Sequence, residues 1–91
     1  MLFDNSFELI YITNLLEYLP DDRVIEEISE AYKMLENGGE VYIETLNAIL
    51  NKGKGFVLEA LVNIVESVGF KVSSMGLRGE KIFVVGEKQC D

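Results

Sequence analysis

The chain has 91 residues, 48% hydrophobic and 26% charged, the make-up of one small folded domain. Sixteen acidic against eight basic side chains leave a formal charge of −8, which argues against a general nucleic-acid binder and against docking on an anionic membrane. With no histidine and one cysteine, Cys90, the composition excludes histidine acid–base catalysis, any histidine-dependent triad, a Cys/His zinc site and an internal disulfide.

Asp4-Asn5-Ser6 carries turn chemistry. Phe7 to Thr13 then reads as a strand, with Ile10, Tyr11 and Ile12 favouring extended backbone. Its apolar residues do not alternate strictly with polar ones, the mark of a strand covered on both faces. Pro20-Asp21-Asp22 opens a helix, with an aspartate as cap and Glu26 and Glu27 near the positive end of the dipole. Val24, Ile25, Ile28, Ala31, Tyr32 and Leu35 form its apolar stripe, and Asn37-Gly38-Gly39 is expected to close it. Glu40 to Leu46 alternates as a second strand, with Val41, Ile43 and Thr45 on one face and Glu40, Tyr42 and Glu44 on the other.

Asn47 to Gly55 is a loop, followed by a helix from Phe56 to Val68 and a third strand from Phe70 to Ser74. Gly76-Leu77-Arg78-Gly79 reads as a hairpin connection into a fourth strand, Lys81 to Gly86. Strand–helix–strand–helix–strand–hairpin–strand implies a mostly parallel sheet with right-handed crossovers. Both helices then lie on one face, and this chain offers no cover for the other. The longest apolar stretch, Leu9 to Leu16, is broken by Thr13 and Asn14 and is far shorter than the ~20 residues of a spanning helix. With no basic leader pattern and one unpaired thiol, the expected location is cytoplasmic.

Several segments are familiar. Phe3-Asp4-Asn5-Ser6-Phe7-Glu8-Leu9-Ile10 resembles the lead into the fourth strand of class I S-adenosylmethionine-dependent methyltransferases. Leu15-Leu16-Glu17-Tyr18-Leu19 resembles the stretch after that strand, where a histidine often stands in place of Tyr18. Ala31 to Ile43, with its Leu35-Glu36-Asn37-Gly38-Gly39 turn, resembles the helix end and fifth strand. Val68-Gly69-Phe70-Lys71-Val72 resembles the start of the sixth, and the closing hairpin resembles the reversed seventh.

The resemblance implies a partial Rossmann-like α/β sheet of four strands in the order 1-2-4-3. The last strand is antiparallel, two helices lie on one face, and residues 1–91 form a single domain. It departs from the family at the cofactor site. No Gly-x-Gly-x-Gly run is present, and Glu8 replaces the usual aspartate. By resemblance alone, Thr13, Asn14 and Leu15 lie near S-adenosylmethionine, which this chain is not expected to bind by itself. Glu17 and Tyr18 are substrate-facing by family position, with packing of Tyr18 at the helix entry as the alternative.

Asn51-Lys52-Gly53-Lys54-Gly55 is either a surface loop or an anion nest before a helix. In complete family members the matching loop faces the methyl acceptor. Glu40 and Glu44 are either a solvated strand face or a carboxylate pair for acid–base or cation chemistry. Cys90 reads as an incidental thiol, and no catalytic or metal-ligating residue is assigned.

Three functional expectations follow. The first is a methyltransferase-like half domain without catalysis of its own, self-associating as a homodimer through its first strands or its uncovered faces. The second is a truncated or split methyltransferase, completed by a chain that supplies the missing half-sheet. The third is a small acidic protein-interaction module.

Overall fold

The computed structural model describes residues 7–89; the turn expected at residues 4–6, the start of the resembling segment at residues 3–6, and Cys90 lie outside them. Strand β1 spans Phe7–Thr13, helix α1 Asp21–Met34, β2 Leu35–Leu46, α2 Leu58–Val68, β3 Lys71–Arg78 and β4 Lys81–Glu87. A short 3-10 turn, Leu16–Tyr18, joins β1 to α1. The sheet order is β1-β2-β4-β3, with β1 parallel to β2 and β4 antiparallel to both neighbours. This is the expected four-strand α/β arrangement.

The helices cover one face because the strands alternate. Val41 and Ile43 of β2 and Ile82 and Val84 of β4 are buried against Val24, Ile28 and Ala31 of α1 and Leu61 and Val65 of α2. Each such side chain contributes about 1.5–3 kcal/mol on leaving water. Phe70 closes one end of this core, with its ring edge-on to Tyr32 at 4.9 Å. One member of the expected α1 stripe, Ile25, stays at the surface, about half exposed.

Several element ends differ from expectation. Helix α1 stops at Met34, and its C-cap is Leu35 in extended backbone rather than a glycine. The Lys88 ammonium instead caps this end, donating to the Tyr32 and Leu35 carbonyls at 2.8 Å each. Gly38 and Gly39 lie inside β2, at the irregular start of its pairing with β1. A Cβ on Gly39 would sit 3.0 Å from the Glu36 carbonyl and 3.2 Å from the Glu8 carbonyl of β1, so the crowding of the strands there favours glycine.

At the start of α1, Pro20 is the N-cap and no side chain caps it. Asp21 and Asp22 fall in the first turn, where they favour the dipole without hydrogen-bonding as caps. Helix α2 begins at Leu58, because Phe56 is held in a bridge to Asn47. The hairpin is shorter than expected. Arg78 pairs with Lys81, leaving only Gly79 and Glu80 as the turn. Gly79 has φ 63, the first-position glycine of a type II′ turn. Gly76 lies within β3 beneath the Phe83 ring, where an added Cβ would be 3.0 Å from Phe83 Cε1.

Among the described residues no helix lies over the opposite sheet face. Register places four rows of side chains on it, running from β1 to β3. The first is Leu9, Glu40, Glu87 and Lys71; the second Tyr11, Tyr42, Val85 and Ser74; the third Thr13, Glu44, Phe83 and Gly76; the last Leu46, Lys81 and Arg78. Tyr42 meets Tyr11 edge-on at 5.7 Å and stacks on Phe83 at 5.9 Å.

Candidate functional site

In open α/β sheets, ligands lie beyond the carboxyl ends of parallel strands. Here those ends belong to β1 and β2, and the residues expected at the site gather there. Asn14 follows β1 with φ 57, a left-handed conformation that asparagine tolerates better than most side chains. Its N–H donates to the Glu44 carbonyl at 3.3 Å, and its Oδ1 accepts from the Lys81 ammonium. The bend drops the chain into the 3-10 turn, which is closed by Tyr18 N–H to the Leu15 carbonyl at 3.0 Å. Leu16 is buried, whereas Thr13, Asn14 and Leu15 remain exposed at the end of β1.

Glu17 and Tyr18, expected to face substrate together, separate. Glu17 turns toward β2, where its carboxylate accepts from the Thr45 hydroxyl at 2.5 Å. Thr45 is fully buried, so this bond satisfies a hydroxyl that would otherwise be costly on the core face of the strand. Tyr18 points outward and is 66% exposed, with the Lys54 ammonium 4.5 Å from its ring centroid. That spacing is a cation–π contact. It leaves a flat aromatic surface edged by a positive charge, beside the exposed Asn14 and Leu15.

The loop carrying Lys54 is built rather than loose. Phe56 N–H donates to the Leu46 carbonyl and Ala48 N–H to the Phe56 carbonyl, each at 3.0 Å, making a neck. Buried Asn47 accepts from Ile49 N–H through its side chain, and its own carbonyl accepts from the Asn51 amide at 2.8 Å. The anion-nest alternative for residues 51–55 finds no support in this geometry. Gly53 and Lys54 spend their N–H groups on the Ala48 and Asn51 carbonyls, and α2 starts only at Leu58.

Glu40 and Glu44 do not converge. Glu44 lies 4.0 Å from the Arg78 guanidinium, which also donates to the Tyr42 hydroxyl at 3.3 Å. That hydrogen bond, with the nearby Glu44 charge, raises the Arg78 pKa further above its ordinary value. Among the described residues no group of three or more acidic side chains is placed to hold a metal ion, and no helix is long and apolar enough to cross a membrane.

β1 is the edge of the sheet. A shallow cleft of about 260 Å³ runs along it, floored by Ile10, Ile12, Leu15, Ala31 and Met34 and rimmed by Glu27 and Glu30 of α1.

No protein-family model matches the sequence, and no curated protein matches it. Solved structures do match in fold. An S-adenosylmethionine-dependent methyltransferase from Mesorhizobium loti superposes with a TM-score of 0.79 at 13% identity, over 93% of this chain and 64% of that one. A methyltransferase of the same cofactor class from Methanosarcina mazei gives 0.76 at 15% identity, over 97% and 62%. The N-methyltransferase NodS from Bradyrhizobium japonicum, solved with S-adenosylhomocysteine, gives 0.71 at 17% identity, over 90% and 46%. The chain thus has the fold of part of an S-adenosylmethionine-dependent methyltransferase, and it spans less than two thirds of each of these proteins.

Proposed function

We propose that this chain is the acceptor-side half of an S-adenosylmethionine site and does not transfer methyl groups by itself. The observation that carries the reading is the end of β1. Thr13, Asn14, Leu15 and Tyr18 are exposed there, positioned by the Glu17–Thr45 bond and the Asn14–Glu44 bond, and the strand that leads to them is an edge of the sheet among the described residues. An apolar strand edge readily accepts another strand. The cleft beside β1, apolar below and acidic at its rim, favours a completing segment that brings apolar and basic side chains. In this reading the completing segment carries the glycine-rich, ribose-binding part of the cofactor site. Asn14 and Leu15 border the cofactor, and Tyr18 with Lys54 borders the methyl acceptor.

Amide NMR of the chain titrated with S-adenosylhomocysteine tests this. Half a site is expected to give fast-exchange shifts with only millimolar affinity, confined to residues 13–18 and 45–47. A saturable micromolar isotherm by calorimetry would overturn the half-site reading, because it needs a complete cofactor site. Shifts elsewhere, or none at millimolar ligand, would remove the cofactor from the end of β1.

A further inference from the structure

We infer that Lys81, at the start of β4, is a positioning residue for the end of β1. Its ammonium holds Asn14 in the left-handed conformation that sets where Asn14 and Leu15 lie. The hold on Asn14 follows from geometry alone; its consequence for S-adenosylhomocysteine rests on the half-site reading.

The contact crosses a strand. β1 and β4 are not neighbours in the sheet, because β2 lies between them. Thr13 pairs with Glu44 and Lys81 with Leu46, so Asn14 stands beside Thr45, close to the level of Lys81. From there the ammonium reaches over β2 and donates to Asn14 Oδ1, 67 positions away in the chain. The base of this reach is fixed. Lys81 is paired with Leu46 on one side and with Arg78 on the other. The carbonyl of the preceding residue, Glu80, accepts from Asn47 N–H at 2.9 Å and from the Asn51 amide at 3.2 Å.

The arrangement around Lys81 directs it to Asn14. The carboxylate nearest on β2, Glu44, is engaged by Arg78 at 4.0 Å, and Arg78 also donates to the Tyr42 hydroxyl. Among the described residues Lys81 forms no ion pair. Asn14 in turn needs a hold. Its φ of 57 is unfavourable for any residue with a Cβ, asparagine less than most. Its one backbone bond to β2, N–H to the Glu44 carbonyl, is long at 3.3 Å. A hydrogen bond from an ammonium is stronger than one between neutral groups. It acts here on the residue where β1 bends into the 3-10 turn.

Amide NMR of the chain and of Lys81→Met, Lys81→Arg, Asn14→Gly and the combined Lys81→Met and Asn14→Gly variant reads the hold. Titration of each with S-adenosylhomocysteine reads its consequence. Lys81→Met keeps the stem and removes the donor. It is expected to move the resonances of residues 13–18, while those of Val41 and Val65 in the core stay in place. The initial slope of shift against ligand concentration is expected to fall about 3-fold or more. Lys81→Arg keeps the charge and a donor, and is expected to restore both. Glycine takes a positive φ unaided. In the Asn14→Gly background, Lys81→Met is therefore expected to change neither the resonances of residues 15–18 nor the slope. Resonances at 13–18 that ignore Lys81→Met would overturn the inference. So would a full effect of Lys81→Met in the Asn14→Gly background. Resonances that respond to Lys81→Met but not to the ligand would support the hold on Asn14 and remove the cofactor from this end, so failure of the half-site reading shows separately.

Discussion

Replacing Gly55 with alanine should be among the most damaging single changes in the molecule, and Gly53→Ala supplies its control. Both glycines have positive φ, 107 and 87, so both substitutions incur backbone strain of about 1–3 kcal/mol. They differ in space. A Cβ at Gly53 meets nothing within 4 Å, whereas one at Gly55 would lie 2.1 Å from the Leu46 carbonyl oxygen and 2.7 Å from its carbon. The obstruction is backbone and cannot rotate away. The neck must open, breaking the Phe56–Leu46 and Ala48–Phe56 hydrogen bonds at about 1 kcal/mol each. We therefore expect a loss of about 3–5 kcal/mol for Gly55→Ala against about 1–3 for Gly53→Ala, from a total of about 5–14 for a domain this size. Urea unfolding with a common slope measures both. Equal losses at the two positions would show that φ strain alone decides, and that the contact with Leu46 is relieved by a small shift.

Two further substitutions probe connections between distant segments. Lys88→Met keeps the apolar stem but removes the two hydrogen bonds to the Tyr32 and Leu35 carbonyls. A loss of about 1.5–3 kcal/mol is expected by urea unfolding, as for hydrogen bonds to a charged group. Thr45→Val should cost about 1–2 kcal/mol, because the isosteric change leaves the Glu17 carboxylate without its partner. Adding Glu17→Gln to it should change stability by much less than Glu17→Gln does alone, and a double-mutant cycle showing simple additivity would refute the pairing.

Much of the fold is legible in the chain because its signals are local. The strand order follows from alternating strands and helices, and the cover over one face follows from Val41, Ile43 and Thr45 taking the opposite side from Glu40, Tyr42 and Glu44. What the sequence hides depends on partners far along the chain. The end of α1 looks like a glycine cap at Gly38-Gly39, but the cap is Lys88, 53 residues beyond Leu35. Gly76 looks like the hairpin turn, yet it is a strand residue kept small for Phe83, which only the register reveals. The site follows the same rule. Asn14 and Leu15 are placed by their position after β1, but Thr45 reads as an ordinary strand residue until Glu17 is found 28 positions away beside it. Lys54 likewise belongs to a glycine-containing loop whose contact with Tyr18 no spacing announces.

Self-association and completion of the cofactor end make different demands on β1, and symmetry separates them. In parallel pairing, a residue bonds to the two neighbours of the residue opposite it, whose own groups point away. Two identical β1 strands related by a two-fold axis along their length would set like residues at one height, both pointing inward, so they cannot form a parallel ladder. A symmetric β1–β1 pair is therefore antiparallel. Such a pair lays the carboxyl end of one β1 against the amino end of the other, whereas a ligand cleft at Thr13–Leu15 needs the neighbouring strand to run the same way. It would also leave the aromatic face of Tyr11, Tyr42 and Phe83 bare on both copies. On the half-site reading, the segment that completes the cofactor end is therefore expected to differ from β1 in sequence.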